Sequence, residues 1–123
     1  MYSERLMEEF YNPDNFGVIK AASGVGKVVT DIGNEIIKIY ILVEDGKITE
    51  ATYQAFGGPV AIACANVAVK LIAGKAVSTL KNFQATDITA VLGEIPEDKA
   101  YLLNAVVSAV RGSEINYKNK QAR

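Results

Sequence analysis

Few residues of this chain could act as nucleophiles or metal ligands. Its 123 residues include no histidine and a single cysteine, Cys64. Without histidine, neither a Ser-His-Asp triad, nor a Cys-His pair, nor a zinc site with imidazole ligands can be built. A single cysteine also excludes an internal disulfide and a thiolate cluster within one chain. The composition therefore excludes the commonest hydrolase and zinc sites.

The remaining candidates for chemistry are Cys64 and two adjacent carboxylate pairs. Cys64 stands in the most apolar stretch of the chain, where cysteine usually packs as a small hydrophobe. Burial there would raise the pKa of its thiol and suppress thiolate chemistry. Glu97 and Asp98 fall in the first turn of a predicted helix, where the helix dipole favours acids. Glu8 and Glu9 are expected on a solvated helix face, so neither pair predicts an acid–base site.

A glycine-rich stretch resembles a phosphate-binding loop only superficially. In the run Ser23–Lys27 the glycines precede a lysine, as in the Walker pattern. However, Ala21 and Val28 replace the first glycine and the final hydroxyl residue of that pattern, and no strand is predicted ahead of it. We therefore predict a flexible turn that leads into a first strand over Lys27–Thr30.

Charge and hydropathy restrict the class of protein. The chain carries 13 Lys and Arg against 14 Asp and Glu, with a pI near 5.4, so no basic surface for nucleic acid is predicted. The longest apolar stretch, Val60–Ala73, is too short to cross a membrane. The first residues lack the apolar core of a signal peptide, so a cytoplasmic location is expected. The length predicts a single domain over residues 1–123.

The most readable region is a predicted β-hairpin between residues 34 and 56. The apolar side chains that alternate along one face of its first strand are Ile37, Ile39, Ile41 and Val43. A two-residue Asp45-Gly46 turn would place Ile39 opposite Thr52, whereas a three-residue loop would place it opposite Ala51. The three-residue loop joins apolar to apolar side chains, and it is the predicted connection.

Helices are predicted on both sides of this hairpin in the chain. Ser3 can cap a short N-terminal helix, and Pro59 can begin a helix that is apolar nearly all round. Such a helix belongs at the centre of a small domain. Two short helices are expected near residues 78–83 and 86–92, and a further one begins at Pro96 and is interrupted at Gly112-Ser113. The element order predicts an α+β fold, a three-stranded antiparallel sheet with helices packed on one face.

The second face of the sheet is also predicted to be apolar. Ile36, Tyr40 and Leu42 point away from the face of Ile39 and Ile41. A sheet that is solvated on one side would carry polar residues there. Two explanations stay open: either Val28, Val29 or the N-terminal segment covers this face within the chain, or it forms a homo-oligomer contact.

Several motifs follow one another in an order typical of one protein family. Tyr2–Glu4 and Phe10–Gly17 match a Tyr-Ser opening followed by Tyr-x-Asn-Pro-x-Asn-x-Gly, and Phe56–Ala63 matches Tyr-Gly-Cys-x-x-Ala-Ile-Ala. Ile32–Asn34 stands at the family's Cys-Gly-Asp, and Ile95–Lys99 at its proline-rich chaperone-recognition segment. Along essentially its full length, the chain resembles the IscU/NifU N-terminal scaffold proteins of iron–sulfur cluster assembly. The fold that this resemblance implies agrees with the predicted α+β architecture.

The resemblance also implies a cluster site whose ligands are missing here. In the family, three cysteines hold the iron–sulfur cluster or zinc, aided by an aspartate and sometimes a histidine. The positions that the resemblance assigns to these groups, called here the ligand positions, are Ile32, Gly58 and Leu102 for the cysteines, Asn34 for the aspartate and Tyr101 for the histidine. Because Ile, Gly and Leu offer no donor, no cofactor and no metal are expected at this site.

Three functions are compatible with this sequence. The first is a binding or regulatory member of the assembly system that holds no cluster and that binds a cysteine desulfurase, a true scaffold or a client protein. The second is a small-molecule binder or enzyme that reuses an apolar pocket vacated by the ligands. The third, compatible with the first, is a homo-oligomeric module that uses Ile36, Tyr40 and Leu42. We expect the first, without enzymatic activity, because the ligand positions contain no nucleophile–base pair.

Overall fold

The computed structural model describes residues 2–122 and has the predicted α+β architecture. Three antiparallel strands lie in the order β1-β2-β3, with α4 packed on β1 and α2 packed on β3. The elements are α1 (Glu4–Tyr11), β1 (Gly24–Val29), β2 (Ile36–Glu44), β3 (Lys47–Phe56), α2 (Pro59–Ile72), a 3-10 helix (Val77–Asn82), α3 (Ala85–Leu92), a 3-10 turn (Glu97–Lys99) and α4 (Ala100–Gln121).

Helix α2 is the centre of the core, as its apolar sequence predicts. It begins at Pro59 in the first helical position, and most of its side chains are buried. Across from it, Ile37, Ile39 and Ile41 of β2 are fully buried, which confirms the predicted core face of that strand. No helix among residues 2–122 combines the length and apolar character needed to span a bilayer.

The hairpin turn between β2 and β3 differs from the predicted one. Glu44 pairs with Lys47, so the turn contains two residues, Asp45 and Gly46, and the predicted three-residue loop is wrong. Both turn residues have positive φ, 51° and 76°, the conformation in which a two-residue turn matches the twist of its strands. Asp and Gly are among the residues that tolerate it best.

A β-bulge restores the apolar pairing that the two-residue turn alone would lose. The register shifts by one residue between Leu42 and Val43, and beyond the bulge Ile39 pairs with Tyr53. The bulge adds one residue to β3, so beyond it each side chain of β3 lies on the opposite face from the one it would occupy without the bulge. The apolar face of β2 is therefore matched with the apolar face of β3, although the partner of Ile39 is not the predicted Ala51.

The glycine-rich stretch is part of β1, so the predicted flexible turn is wrong. Gly24 and Gly26 lie on the core face of the strand, directly beneath α4. A Cβ atom at Gly24 would lie 2.3 Å from the carbonyl oxygen of Ser113, and one at Gly26 would lie 1.8 Å from that of Ala109. These glycines permit close packing of helix on strand, which accounts for a motif that resembles a phosphate loop.

The same contact explains why α4 continues through Gly112-Ser113, where an interruption was predicted. Ser113 is fully buried, and Gly112 lies against Gly26. A Cβ atom added at Gly112 would lie 3.6 Å from the Cα atom of Gly26. Small residues are needed here because the helix lies so close to the strand. Packing therefore overrides the weak helix propensity of glycine, and α4 extends to Gln121.

The N-terminal segment crosses from one edge of the sheet to the other. The amide of Gly17 donates to the carbonyl oxygen of Tyr53 on the outer edge of β3, at 2.8 Å. Six residues later, the amide of Ser23 donates to the carbonyl oxygen of Ile41, on the side of β1, also at 2.8 Å. Because α2 and α4 occupy the core face, the intervening residues lie over the outer face.

The crossing segment covers part of the outer sheet face, on which Ile36, Tyr40 and Leu42 were predicted as a possible interface. Tyr40 is only 7 % exposed, and its hydroxyl donates to Oε1 of Gln54 at 2.8 Å. Its neighbour across the strands, Thr52, has a buried hydroxyl, while Ile36 and Leu42 are half-buried. The chain thus covers the part of the face around Tyr40 by itself, and the homo-oligomer contact stays a prediction.

Candidate functional site

Three separate chain segments meet at one end of the sheet. They are the loop after β1, the junction of β3 with α2, and the beginning of α4, and they carry all five ligand positions. Gly58 and Leu102 line the same small cavity, while Ile32 and Tyr101 line one groove beside it. The fold therefore brings these positions together, although they are far apart in sequence.

None of the three positions assigned to cysteines presents a donor atom. Ile32 is 73 % exposed at the loop, whereas Leu102 is 2 % exposed and contributes to the hydrophobic core. Gly58 has no side chain, and an added Cβ there would meet no atom within 4 Å. Asn34 adopts the left-handed conformation with φ of 55°, which asparagine tolerates better than most residues. This backbone conformation accounts for an asparagine at residue 34.

A glutamate that belongs to none of the sequence motifs, Glu35, lies at the centre of the site. Thr30 Oγ1 donates a short hydrogen bond to Oε1 of Glu35, and the hydroxyl of Tyr101 donates to its Oε2 at 2.7 Å. Thr30 and Glu35 also join through the backbone, with the Thr30 amide donating to the Glu35 carbonyl oxygen at 2.9 Å. Glu35 thus connects the loop after β1 to the beginning of α4.

The side chain of Glu35 fills space that two glycines leave open. A Cβ at Gly33 would lie 2.5 Å from Oε2 of Glu35, and one at Gly57 would lie 2.8 Å from its Cγ. The cavity that remains beside Glu35, Lys99 and Leu102 measures about 50 Å³. Glu35 and Lys99 thus make the space beside Gly58 and Leu102 polar, and the reuse of a vacated apolar pocket stays a prediction.

Comparison with known proteins places the chain in a family. The NifU-like N-terminal domain matches residues 1–123 of the chain. The chain belongs to this family. A NifU-like N-terminal protein from Brucella abortus has the same fold, with a TM-score of 0.79 at 14 % identity over 96 % of this chain and 94 % of that one.

The NifU-like chain is also similar to curated iron–sulfur cluster assembly scaffold proteins. One of two such proteins named IscU in Archaeoglobus fulgidus is 31 % identical over 100 % of this chain and 80 % of its own length. The scaffold protein IscU of Aquifex aeolicus is 28 % identical over 99 % of this chain and 79 % of its own length. These relatives confirm the resemblance on which the assignment of the ligand positions rests.

The one cysteine of this NifU-like domain does not replace the missing ligands. Cys64 is fully buried in α2, and burial raises the pKa of its thiol to about 12. It lies six residues beyond Gly58, roughly 9 Å along the helix axis. Among residues 2–122, no group of three or more His, Cys, Asp or Glu side chains could hold a metal ion. The side chains at the ligand positions therefore do not fit an iron–sulfur cluster.

The electrostatics of Glu35 predict a contribution to stability that depends on pH. The hydrogen bond from Thr30 and, to a smaller extent, that from Tyr101 lower the pKa of Glu35 below its usual 4.5. The bond between Tyr101 and Glu35 also raises the pKa of the Tyr101 hydroxyl. A carboxylate with a lowered pKa in the folded state stabilises the fold above the unfolded pKa, and this stabilisation is lost as pH falls through the folded pKa.

We expect Glu35→Gln to lower the free energy of unfolding by about 1 to 2 kcal/mol at pH 7, since hydrogen bonds to a charged acceptor are lost. The difference from wild type should shrink as pH is lowered from 5 to 3, which thermal unfolding at several pH values would measure. Glu44→Gln, at the exposed hairpin turn, is the matched control. A difference that stays constant over this pH range would contradict the role of the Glu35 charge.

A second polar cluster fixes the N-terminal motif of the family to α2. Glu9 is 6 % exposed, so its predicted place on a solvated face is wrong. Its Oε1 accepts hydrogen bonds from Asn66 Nδ2 at 2.8 Å and from Lys70 Nζ at 2.9 Å. Asn66, fully buried, also accepts from the amide of Asn15 at 3.4 Å. The Asn-Pro-Asp-Asn turn is thereby held against the core.

Proposed function

We propose that this NifU-like domain acts in iron–sulfur cluster assembly by binding other proteins and that it holds no cluster at the ligand positions. The observation that carries the proposal is the chemistry of those positions on a fully retained fold. Ile32 is exposed without a donor atom, Gly58 has no side chain, and Leu102 is buried in the core. Glu35, with its partners Thr30 and Tyr101, takes up the space between them.

The partner that we propose is a cysteine desulfurase, met in the cytoplasm. The support is the retention of the N-terminal helix and turn, which the Glu9–Asn66 cluster holds in place, together with relatives that are named assembly scaffolds. A domain with the family fold but no cluster ligands would bind the desulfurase at the surface that a scaffold uses, and it would not accept sulfur. It would therefore act as a regulator that competes with a cluster-holding scaffold.

The alternative of a small-molecule binder or enzyme at the vacated site has less support. Pockets for drug-sized ligands usually measure about 300 to 1,000 Å³. The cavity at Gly58 and Leu102 measures about 50 Å³, enough for water molecules only, and the groove at Ile32 and Tyr101, at about 300 Å³, only reaches the lower end of that range. Glu35 is also engaged by two hydroxyl groups, which leaves no free base beside a nucleophile. We therefore propose a binding protein rather than an enzyme.

The proposal is tested by anaerobic incubation with a cysteine desulfurase, cysteine, ferrous iron and dithiothreitol, which supplies the electrons that reduce persulfide sulfur to sulfide. We expect the chain to co-elute with the desulfurase in size-exclusion chromatography and to retain no stoichiometric iron after desalting, with no cluster absorbance. A three-cysteine scaffold of the family, treated in the same way, is the positive control for cluster formation.

Two results would contradict parts of this proposal. Stoichiometric iron on the wild-type chain, lost again in Cys64→Ser, would show that Cys64 from several chains binds a cluster. Failure to co-elute with the desulfurase, under conditions in which a three-cysteine scaffold does co-elute, would remove the proposed partner. The two measurements are independent, so the absence of a cluster and the choice of partner are tested separately.

A further inference from the structure

The free edge of β1 carries backbone groups that the rest of the chain leaves unpaired. In an antiparallel pair, every second residue directs its backbone amide and carbonyl groups to the partner strand. The Thr30 amide donates to the Glu35 carbonyl oxygen, next to the last pair of β1 with β2, so the even-numbered residues of β1 direct these groups to β2. The odd-numbered residues therefore direct their amide and carbonyl groups to the outer edge. Val25 demonstrates this, since its amide donates to Asn116 Oδ1 on α4 at 2.9 Å.

Two positions further along, this cover by α4 ends. The amide and carbonyl groups of Lys27 and Val29 point to the same edge, and none of them has a hydrogen-bond partner among residues 2–122. An edge strand with unpaired amide and carbonyl groups is a template for another strand. One end of the β1 edge is thus closed by Asn116, and the other end is open.

A groove lies along the open end, between the β1 edge and the first turns of α4. Val28, Val29 and Thr30 form one wall, and Tyr101, Asn104 and Ser108 form the other. Asp31 and Ile32 also line the groove, next to Thr30 in the loop after β1, so an acidic side chain of an added strand is expected on the outer face of the sheet and not in the groove. Its volume is about 300 Å³. The helix residues in this wall recur at spacings of three and four, so they belong to one face of α4. The groove leaves room beside β1 for the side chains of an additional strand.

The charges on the outer face beside this edge are unbalanced. Lys27 pairs directly with Lys38 across the strands, and neither takes part in an ion pair among residues 2–122. Like charges in directly opposite positions destabilise a sheet. The next rung consists of Val29, Ile36 and Phe56, of which Val29 is 51 % and Phe56 is 52 % exposed. Two uncompensated ammonium groups thus lie beside an exposed apolar rung.

We propose that the open edge of β1 binds an extended acidic segment of a partner protein as a fourth strand. Hydrogen bonds to the backbone groups of Lys27 and Val29 would provide the pairing, as in other cases of strand addition. A carboxylate on the added strand lies beside Lys27 and Lys38, and an apolar side chain two residues away covers Val29. The proposal does not depend on a desulfurase partner or on the absence of a cluster.

A second copy of the chain fits this edge less well than an acidic segment. In an antiparallel pairing of two β1 edges about Lys27 or Val28, both Lys27 side chains would share the outer face with both Lys38 side chains. Lysine on an exposed edge strand is a device that opposes such self-association. The charge pattern therefore selects a strand of opposite charge over a copy of itself.

The probe for this edge is the peptide Ser-Thr-Glu-Thr-Val-Thr-Ser with blocked ends, in which the glutamate and the valine share one face. We expect the amides of Lys27 and Val29 to gain at least about tenfold protection from hydrogen exchange when the peptide is bound, with the amide of Val25 unchanged. The same peptide with lysine in place of glutamate should bind about tenfold more weakly.

Two variants make the test decisive. Lys27→Glu combined with Lys38→Glu should reverse the preference between the two peptides, which a loss of folding could not imitate. Val29→Pro removes one edge donor without removing a bond to β2, so it should abolish binding, whereas Val29→Ala should retain it. Binding that ignores the peptide charge, unprotected edge amides in the presence of peptide, or a dimer with protected edge amides in its absence would each overturn the proposal.

Discussion

Replacing Gly26 with alanine is expected to lower the free energy of unfolding by about 3 kcal/mol, since a core without space must shift backbone to admit a methyl group. The added Cβ would lie 1.8 Å from the carbonyl oxygen of Ala109 and 2.7 Å from the amide nitrogen of Ser113. Both contacts are with backbone atoms of α4, which cannot rotate away as a side chain would. Helix and strand would have to separate.

For a domain of this size the loss corresponds to a decrease in Tm of roughly 12 °C, which differential scanning calorimetry would measure. Gly112→Ala is the matched control, because it adds the same methyl group from the other side of the same contact. There the Cβ would lie 3.6 Å from the Cα of Gly26, an ordinary van der Waals distance. Alanine is also the better helix former, so we expect no loss or a gain of up to about 1 kcal/mol. Equal losses for the two variants would contradict this packing.

Replacing Glu9 with alanine is expected to lower the free energy of unfolding by about 2 to 3 kcal/mol, because a fully buried amide loses its closest acceptor, which is also its charged one in a buried cluster. Asn66 has no exposed surface, and its Nδ2 donates to Oε1 of Glu9 at 2.8 Å. Lys70, whose side chain is 37 % exposed, can turn towards water once Glu9 is removed. Asn66 Nδ2 would keep only its longer hydrogen bonds, to the Asn12 carbonyl oxygen at 3.4 Å and to Oδ1 of Asp14 at 3.5 Å. The loss of its short bond to a charged acceptor therefore accounts for most of the expected change, which denaturant unfolding would measure.

The neighbouring carboxylate provides the control for this substitution. Glu8 is exposed on the other side of α1, and Glu8→Ala should change stability by less than about 0.5 kcal/mol. Burial raises the pKa of Glu9, but hydrogen bonds from Lys70 and Asn66 outweigh it and hold the pKa below 4.5. Stability from this group is therefore lost as pH falls through the folded pKa, and Glu9→Gln should lack that decrease. Similar losses in Glu8→Ala and Glu9→Ala would contradict the buried cluster.

The elements that the sequence predicted correctly are those with a strong local pattern. The alternation of Ile37, Ile39 and Ile41 defined the core face of β2, and the apolar run after Pro59 defined the central helix. Both signals arise from neighbours on one element, so they need no knowledge of distant contacts. Ser3 also caps α1 as predicted, with its Oγ accepting from the Leu6 amide at 3.1 Å. The same Oγ donates to the Leu92 carbonyl oxygen at 2.6 Å, a contact that local sequence could not predict.

The elements that were predicted wrongly depend on contacts between distant segments. Gly24 and Gly26 have the composition of a turn, and they are strand residues only because α4 packs on them. For the same reason, Gly112 does not end α4. A glycine permits both a turn and a close approach, and the local sequence does not distinguish between them. The two-residue turn likewise depends on a bulge in β3 that no motif signals.

The absence of histidine and of all but one cysteine was decided by the sequence alone, and it excludes a cluster held by thiolates at the ligand positions. What stands there instead was decided by the tertiary structure. Glu35 has no motif around it, but folding brings Thr30 and Tyr101 to its two carboxylate oxygens. The open edge of β1 likewise exists because α4 closes one end of that strand and leaves the other free. Residue types set which bonds can form, whereas long-range packing decides which groups meet.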